Sequence, residues 1–371
     1  MLKTILHVID TTGPGGAETV FIDLATRLPQ EKYNSISLIR GKGWVYDELC
    51  RRGAAPILLD AKGSFNWRYL FGLCKIVRSN NVSLIQSHLL GANVYCSMAG
   101  LLTATPVVTT FHGSVDIGEN ERLKGLKFGV INAGADCIVA VSYDLLNDML
   151  ARTSLNAEKT QVISNGINTS LYQRPRSKTL RHKFGWNNDD IIVGSLGNLR
   201  TAKGYDVLLH SAALLKQSSQ SFRFVIAGEG KGKLFDKLLE LRKELGLEDK
   251  VHFLGFIDDA ADFLSNLDMF LSSSISEGLP LSAIQAMVSN LPLIASRCGG
   301  YEELIKDREN GWLVEVGSPE AIAEAIESLA SNMQLRKSLS DNARRYAIDT
   351  FDISTMLKTY QLVYDKLMFH S

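Results

Sequence analysis

A carboxylate, a pair of cations and repeated glycines stand in five short loops, each directly after an apolar run. In residues 276–287, Glu277 precedes Gly278-Leu279-Pro280-Leu281 and a helical pattern. A carboxylate there can accept hydrogen bonds from two neighbouring sugar hydroxyls, while loop N–H groups meet an anion. Gln285 follows eight residues after Glu277, roughly two helical turns away. In Gly197-Asn198-Leu199-Arg200-Thr201-Ala202-Lys203-Gly204, two cations meet a flexible backbone at a helix start. Arg offers a fork and Lys a point charge, a way to hold a diphosphate without a metal. His112-Gly113 closes an apolar strand, where an imidazole can donate a hydrogen bond or polarise a leaving group. Gly15 and Gly16, in Gly13-Pro14-Gly15-Gly16-Ala17-Glu18, permit close backbone approach at a helix N-terminus. Gly228, in residues 227–233, stands in a fourth glycine-rich turn that reads as a wall of a binding site. Each loop also has a plainer reading: a tight turn, a core histidine, solvated charges, or a Glu beside a positive helix end.

The elements that must carry these loops alternate. Strand-like apolar runs occur at 5–9, 35–39, 56–59, 84–86, 107–111, 137–141 and 161–163. Helical patterns at 17–28, 67–78, 92–102 and 143–151 fall between them. The pattern weakens over 166–189 and resumes with strands at 191–196, 224–227, 251–254, 269–272, 291–295 and 312–315. Helices are expected at 205–216, 234–245, 281–288, 319–331 and 335–351. Alternation of this kind predicts an α/β protein of two doubly wound, Rossmann-like domains with mostly parallel sheets facing a central cleft. The expected boundaries are 1–168 and 169–353, with a last helix at about 354–371 returning to the first domain.

Composition narrows the function. A chain of 371 residues has room for two domains, and 45% hydrophobic with 22% charged residues describes an ordinary globular protein. Forty basic residues balance forty acidic ones, so no global field favours nucleic acid. The five cysteines are scattered, which argues against a zinc ribbon and for reduced thiols in the cytoplasm. No window holds 18 uninterrupted apolar residues, and the first ten residues are too short for a secretion signal. Asp-x-Asp, HExxH, GxSxG and CxxC are all absent, and no metal site is expected. His7 lies within an apolar strand and reads as a core histidine, whereas His88 follows a strand and reads as lining the first domain's edge.

Taken in order, the loops resemble the retaining glycosyltransferases of family 4, which have the GT-B fold. The likeness rests on Gly15–Glu18, Phe111-His112-Gly113, Ser164-Asn165-Gly166-Ile167, residues 197–204, Ala227-Gly228-Glu229-Gly230, Phe253-Leu254-Gly255-Phe256, residues 276–287, Cys298-Gly299-Gly300 with Glu303, and Asn310-Gly311. The resemblance implies a nucleoside-diphosphate sugar as donor substrate, with no further cofactor, held mainly by the second domain. Glu277 would then contact the sugar hydroxyls, and the backbone of Gly278, Leu279, Pro280 and Leu281 the sugar and phosphates. Arg200 and Lys203 would hold the diphosphate, Phe256 would border the nucleobase, and His112 would lie beside the donor sugar. Gly15 and Gly16 would approach the diphosphate or the acceptor.

Two positions depart from the family's pattern. Family members usually carry a second Glu where this chain has Gln285, and many carry Arg where it has Asn198. An amide can still serve a ribose diol, though without charge assistance. Arg200, two residues after Asn198, is expected to supply the missing cation. The implied acceptor is a saccharide or lipid-linked saccharide, as in surface polysaccharide synthesis. Arg122, Lys124 and Lys127 interleave with Leu123, Leu126 and Phe128, a pattern suited to peripheral contact with the inner face of a membrane or to a solvated face packed by its leucines. The competing readings are a silent nucleotide-sugar binder, an epimerase-like relative and a dehydrogenase; Glu18 breaks the dinucleotide fingerprint of the last.

Overall fold

A computed structural model describes residues 2–60, 65–118 and 121–369 of the chain. It divides into two compact units, residues 1–166 with 354–371, and residues 167–353. The first contains strands β1 (Lys3–Ile9), β2 (Tyr33–Ile39), β3 (Ile57–Leu58), β4 (Val82–His88), β5 (Val107–Phe111), β6 (Cys137–Ala140) and β7 (Thr160–Val162). They pair in the order β3-β2-β1-β4-β5-β6-β7, all parallel. The helices are α1 (Gly16–Arg27), α2 (Trp44–Arg51), α3 (Trp67–Ser79), α4 (Leu90–Thr103), α5 (Lys124–Gly134) and α6 (Tyr143–Arg152).

Alternation along the strands sorts the core into two layers, because successive side chains leave a strand on opposite faces. Leu6, Val8 and Leu38 pack with Leu70, Leu73, Ala92 and Cys96 of α3 and α4. Ile9 and Ile39 pack with Phe21, Ile22, Val45 and Leu49 of α1 and α2. A parallel sheet covered on both faces buries its strands on both sides, and β1 from Thr4 onward and all of β5 are buried.

The second unit contains α7 (Thr179–Phe184), β8 (Ile191–Leu196), α8 (Tyr205–Leu214), β9 (Phe222–Ala227), α9 (Lys233–Glu244), β10 (Val251–Gly255), α10 (Ala260–Ser265) and β11 (Met269–Ser272). It continues through α11 (Leu281–Val288), β12 (Leu293–Ser296), α12 (Gly300–Leu304), β13 (Trp312–Val314), α13 (Pro319–Ser331) and α14 (Met333–Phe351). Its sheet order is β10-β9-β8-β11-β12-β13, again parallel. The order reverses between β8 and β11, as the first sheet's does between β1 and β4; in such sheets ligands gather at the strand ends beside that point. Helix starts follow local chemistry. Ser318 Oγ accepts from Ala321 N at 3.3 Å with Pro319 in the first turn, and Asp259 Oδ1 accepts from two backbone N–H groups of α10.

The last helix, α15 (Ile353–Phe369), belongs almost entirely to the first unit. Tyr33 Oη donates to Asp365 Oδ1 at 2.7 Å, and Lys32 pairs with the other carboxylate oxygen. Tyr360 and Tyr364 of this helix are fully buried. Helices α2, α5, α7, α10 and α12 lie outside the helices expected from periodicity; all but α5 have eight residues or fewer, and α7 falls in the 166–189 stretch where the pattern weakens.

Candidate active site

In the second unit the loops after β8 and β11 interlock. Gly204 has φ +57°, and a Cβ there would stand 2.2 Å from the Ser273 carbonyl oxygen, so only glycine fits. Ile275 N donates to Ala202 O at 2.7 Å, and Ser273 Oγ donates to Lys203 O at 3.0 Å. These bonds bring Lys203 to Glu277. Lys203 Nζ lies 2.6 Å from Glu277 Oε1, and Ser274 Oγ donates to the same oxygen at 2.8 Å. The carboxylate is thus held by side chains rather than by a helix end. Both partners are mostly shielded, with side-chain exposures of 21% and 15%.

A third loop supports this pair from behind. Gly300 N donates to Glu277 O at 3.0 Å, and a Cβ on Gly300 would fall 1.6 Å from Gly278 O. Cys298 Sγ donates to Ser274 O at 3.2 Å. Leu279, Pro280 and Leu281 are buried at the start of α11, and Gln285 is half-buried one helical turn beyond Leu281. Ser274, Cys298 and Gly300 fix the carboxylate's place. Cys298 and Gly300 stood in the sequence motifs without a role, whereas Ser274, three residues before Glu277, carried no signal of its own.

The loop after β8 is also clipped to the loop after β9. Asn198 Oδ1 accepts from Glu229 N at 3.1 Å, and Leu199 N donates to Glu229 O at 2.8 Å. Gly228 has φ +154°, and a Cβ there would approach Gly197 O to 2.0 Å. Gly228 N in turn donates to Gly255 O at 2.8 Å, which joins the loop carrying the exposed Phe256. Asn198 therefore serves as a loop fastener. Arg200 is exposed, and its side chain makes no ion pair among the described residues. The structure joins Lys203 with Glu277, while Arg200 is not drawn into that pair.

The first unit carries a separate polar cluster at the carboxyl ends of β1, β4 and β5. Gly15 caps α1, and the Glu18 carboxylate folds back over it, so that a Cβ at residue 15 would meet Glu18 Oε2 at 2.2 Å. Gly16 begins the helix. His112 follows β5; its backbone N donates to Asp116 Oδ2 at 2.8 Å. Its ring stacks on His88 with centroids 5.2 Å apart, and His88 Nδ1 lies 2.9 Å from His112 Nε2. His88 is fully buried at the end of a central strand, not at an edge. Burial holds the His112 imidazole neutral, lowering its pKa to about 3, and likewise pushes the Asp116 carboxyl up to about 6. His7 is a core histidine, fully buried in β1, and burial lowers its pKa to about 3.

The basic segment at 122–128 is not packed by its leucines. Leu123 and Leu126 are exposed, and Phe128 and Ile131 make the core contacts of α5. Lys127 pairs with Glu121. Among the described residues no three His, Cys, Asp or Glu side chains are grouped so as to hold a metal ion, and no helix is long and apolar enough to cross a membrane.

Comparison with known proteins follows the same division. The profile of glycosyltransferase family 4 matches residues 14–171, and that of glycosyl transferases group 1 matches residues 176–346. The putative glycosyltransferase EpsD of Bacillus subtilis is 32% identical over 225 residues, 59% of this chain and 58% of that protein. The O-antigen biosynthesis glycosyltransferase WbnH of Escherichia coli is 28% identical over 324 residues, 85% of this chain and 86% of that protein. Among solved structures, Anabaena HepE in complex with UDP-glucose superposes with a TM-score of 0.89 at 22% identity, covering 98% of this chain and 99% of that one. That likeness establishes the fold, two Rossmann-like units of the GT-B type. With a profile of this kind on each unit, the chain belongs to the family 4, group 1 glycosyltransferases.

Proposed function

We propose that the protein transfers a sugar, with retention of anomeric configuration and without a metal, from a nucleoside-diphosphate sugar to a saccharide or lipid-linked saccharide. The observation that carries this reading is the Lys203–Glu277 pair at 2.6 Å. A nucleotide sugar presents a diphosphate anion directly beside a polyol ring. A cation and a carboxylate side by side suit those two groups, and each would exchange its present partner for substrate. In this assignment Lys203, joined by Arg200, takes the diphosphate, where preorganised positive charge stabilises the leaving group. Glu277 and the backbone of residues 278–281 take the sugar, Gln285 the ribose, and Phe256 borders the base. His112, with Gly15 and Gly16, serves the substrate from the first unit.

The name of WbnH supports a product in surface polysaccharide, and the name of the HepE structure supports a uridine nucleotide as the first donor to try. Peripheral contact with an anionic membrane draws support from α3, α4 and α5, which pack side by side and contain no acidic residue. These helices expose Trp67, Phe71, Leu101, Leu102 and Leu126, together with Arg68 and Lys75; Lys124 and Lys127 are half-buried, and the exposed Arg122 stands just before α5. Apolar anchors among cations suit an anionic lipid surface.

The experiment is transfer from UDP-glucose and other nucleotide sugars to saccharide acceptors in excess chelator, with product anomers read by proton NMR. The reading predicts turnover that survives the chelator, an anomer matching the donor, and loss of turnover in Lys203→Ala. An inverted product, or turnover unchanged in Lys203→Ala, would overturn it.

A further inference from the structure

Behind His112 runs a line of buried hydrogen-bonding groups that begins on α15. Tyr364 Oη donates to Gln86 Oε1 at 2.9 Å. Gln86 Nε2 lies 2.9 Å from Thr110 Oγ1 and 3.2 Å from the Ser87 carbonyl oxygen. A carbonyl only accepts, so the amide nitrogen, not its oxygen, must occupy that place. The same nitrogen stands 3.4 Å from His88 Nε2. An amide nitrogen only donates, and two N–H groups cannot face each other in a dry interior. His88 Nε2 is therefore bare. The neutral His88 ring then carries its proton on Nδ1 and donates it to His112 Nε2, 2.9 Å away. His112 in turn must hold its own proton on Nδ1. That atom is buried and has no hydrogen-bond partner among the described residues.

We infer that Gln86 and His88 are positioning residues that fix His112 as its Nδ1–H tautomer and so present it to a substrate oxygen as a hydrogen-bond donor, not as a base. The last clause rests on the transferase reading; the tautomer itself follows from the buried contacts alone. The arrangement gives a buried orphan N–H a purpose, since such a group is costly unless a ligand satisfies it. It also gives α15, contributed from the far end of the chain, a role at the site: its Tyr364 orients the amide, and Tyr360 Oη lies 3.2 Å from Thr110 Oγ1, the amide's other partner. His7, which pairs in register with Gln86 across β1 and β4, adds no hydrogen bond to this line.

The test is a long-range proton–nitrogen NMR spectrum of the full chain labelled with ¹⁵N-histidine, His112 being identified by the signals lost in His112→Asn. The expected result is a protonated Nδ1 and a bare Nε2 on His112, the minor tautomer of free histidine. Gln86→Met keeps the volume and removes the donor, and His112 then shows Nε2–H or a mixture. Tyr364→Phe, which frees the amide to turn, moves the spectrum the same way and stands in if Gln86→Met fails to fold. In a donor-turnover assay Gln86→Met lowers kcat about tenfold, the value of one neutral hydrogen bond in the transition state, and leaves the donor KM unchanged. Nε2–H on wild-type His112, or a spectrum unmoved by both variants, overturns the inference. Absence of turnover with every nucleotide sugar would instead remove the transferase reading and leave the tautomer result standing.

Discussion

Acidification should destabilise the first unit through its buried histidines, and the size of the effect follows from their surroundings. His7 and His112 are neutral in the folded chain, with pKa values lowered by burial to about 3. In the unfolded chain each titrates near 6.5. Below that value the unfolded state binds protons that the folded state refuses, so stability is intact above pH 6.5 and lost as pH falls toward 3. From pH 7 to 5 each ring costs about 2 kcal/mol, or about 4 kcal/mol for the two. His88, also lowered by burial, acts in the same direction. Asp116 opposes them. Its pKa is raised to about 6, so its burial penalty shrinks on acidification and returns about 1 kcal/mol over the same interval. A net loss of about 3 kcal/mol or more is a large part of a domain's usual 5–15 kcal/mol. Urea unfolding at pH 7, 6 and 5 reads the slope. His7→Leu supplies the control: both His7 ring nitrogens are buried without partners, so this variant holds its stability at pH 7 and loses about 2 kcal/mol less than wild type by pH 5. A wild-type loss below about 1 kcal/mol, or an unchanged slope in His7→Leu, would refute the burial argument.

Other perturbations probe the second unit and the surface. Gly300→Ala would place a methyl group 1.6 Å from Gly278 O, so the Glu277 loop must move; unfolding of this variant should come about 2–4 kcal/mol earlier, with donor binding lost in calorimetry. Ser274→Ala removes one hydrogen bond to Glu277 Oε1 and should weaken sugar-nucleotide binding about fivefold, by about 1 kcal/mol, with the fold intact by circular dichroism. Replacing Trp67 and Phe71 together by Ser should abolish flotation with anionic vesicles while leaving transfer to a soluble acceptor unchanged; flotation equal to wild type would remove the membrane contact.

Much of the fold is legible because long buried parallel strands announce themselves. Residues 107–111, 191–196 and 269–272 are strands with the bounds their mainly apolar runs suggest, since a strand buried on both faces is rich in apolar side chains. Edge positions are harder: β3 keeps only Ile57–Leu58, where one neighbour and partial exposure weaken the pattern. The pairing of Lys203 with Glu277 could not be read, because 74 residues separate them and only the order of β8 and β11 in the sheet makes them neighbours. Gln86 and Tyr364 are further apart still, and a buried Gln in a strand gives no hint of the histidine it orients. The exposure of Leu123 and Leu126 was equally hidden, since helical spacing alone does not say which apolar residues reach the core.

The central claim is a division of labour in one pair: Lys203 for the diphosphate and Glu277 for the sugar. Titration calorimetry of a nucleoside diphosphate and its sugar nucleotide, begun with UDP and UDP-glucose and repeated with GDP and ADP pairs in chelator, tests it directly. The account predicts that wild type binds one such pair and prefers the sugar nucleotide. Lys203→Ala should lose about 10–100-fold for both ligands, the value of a charge-assisted bond to phosphate. Glu277→Gln should keep the diphosphate and lose the preference for the sugar. Binding of neither ligand with any base, or equal losses from both substitutions on the bare diphosphate, would contradict the account.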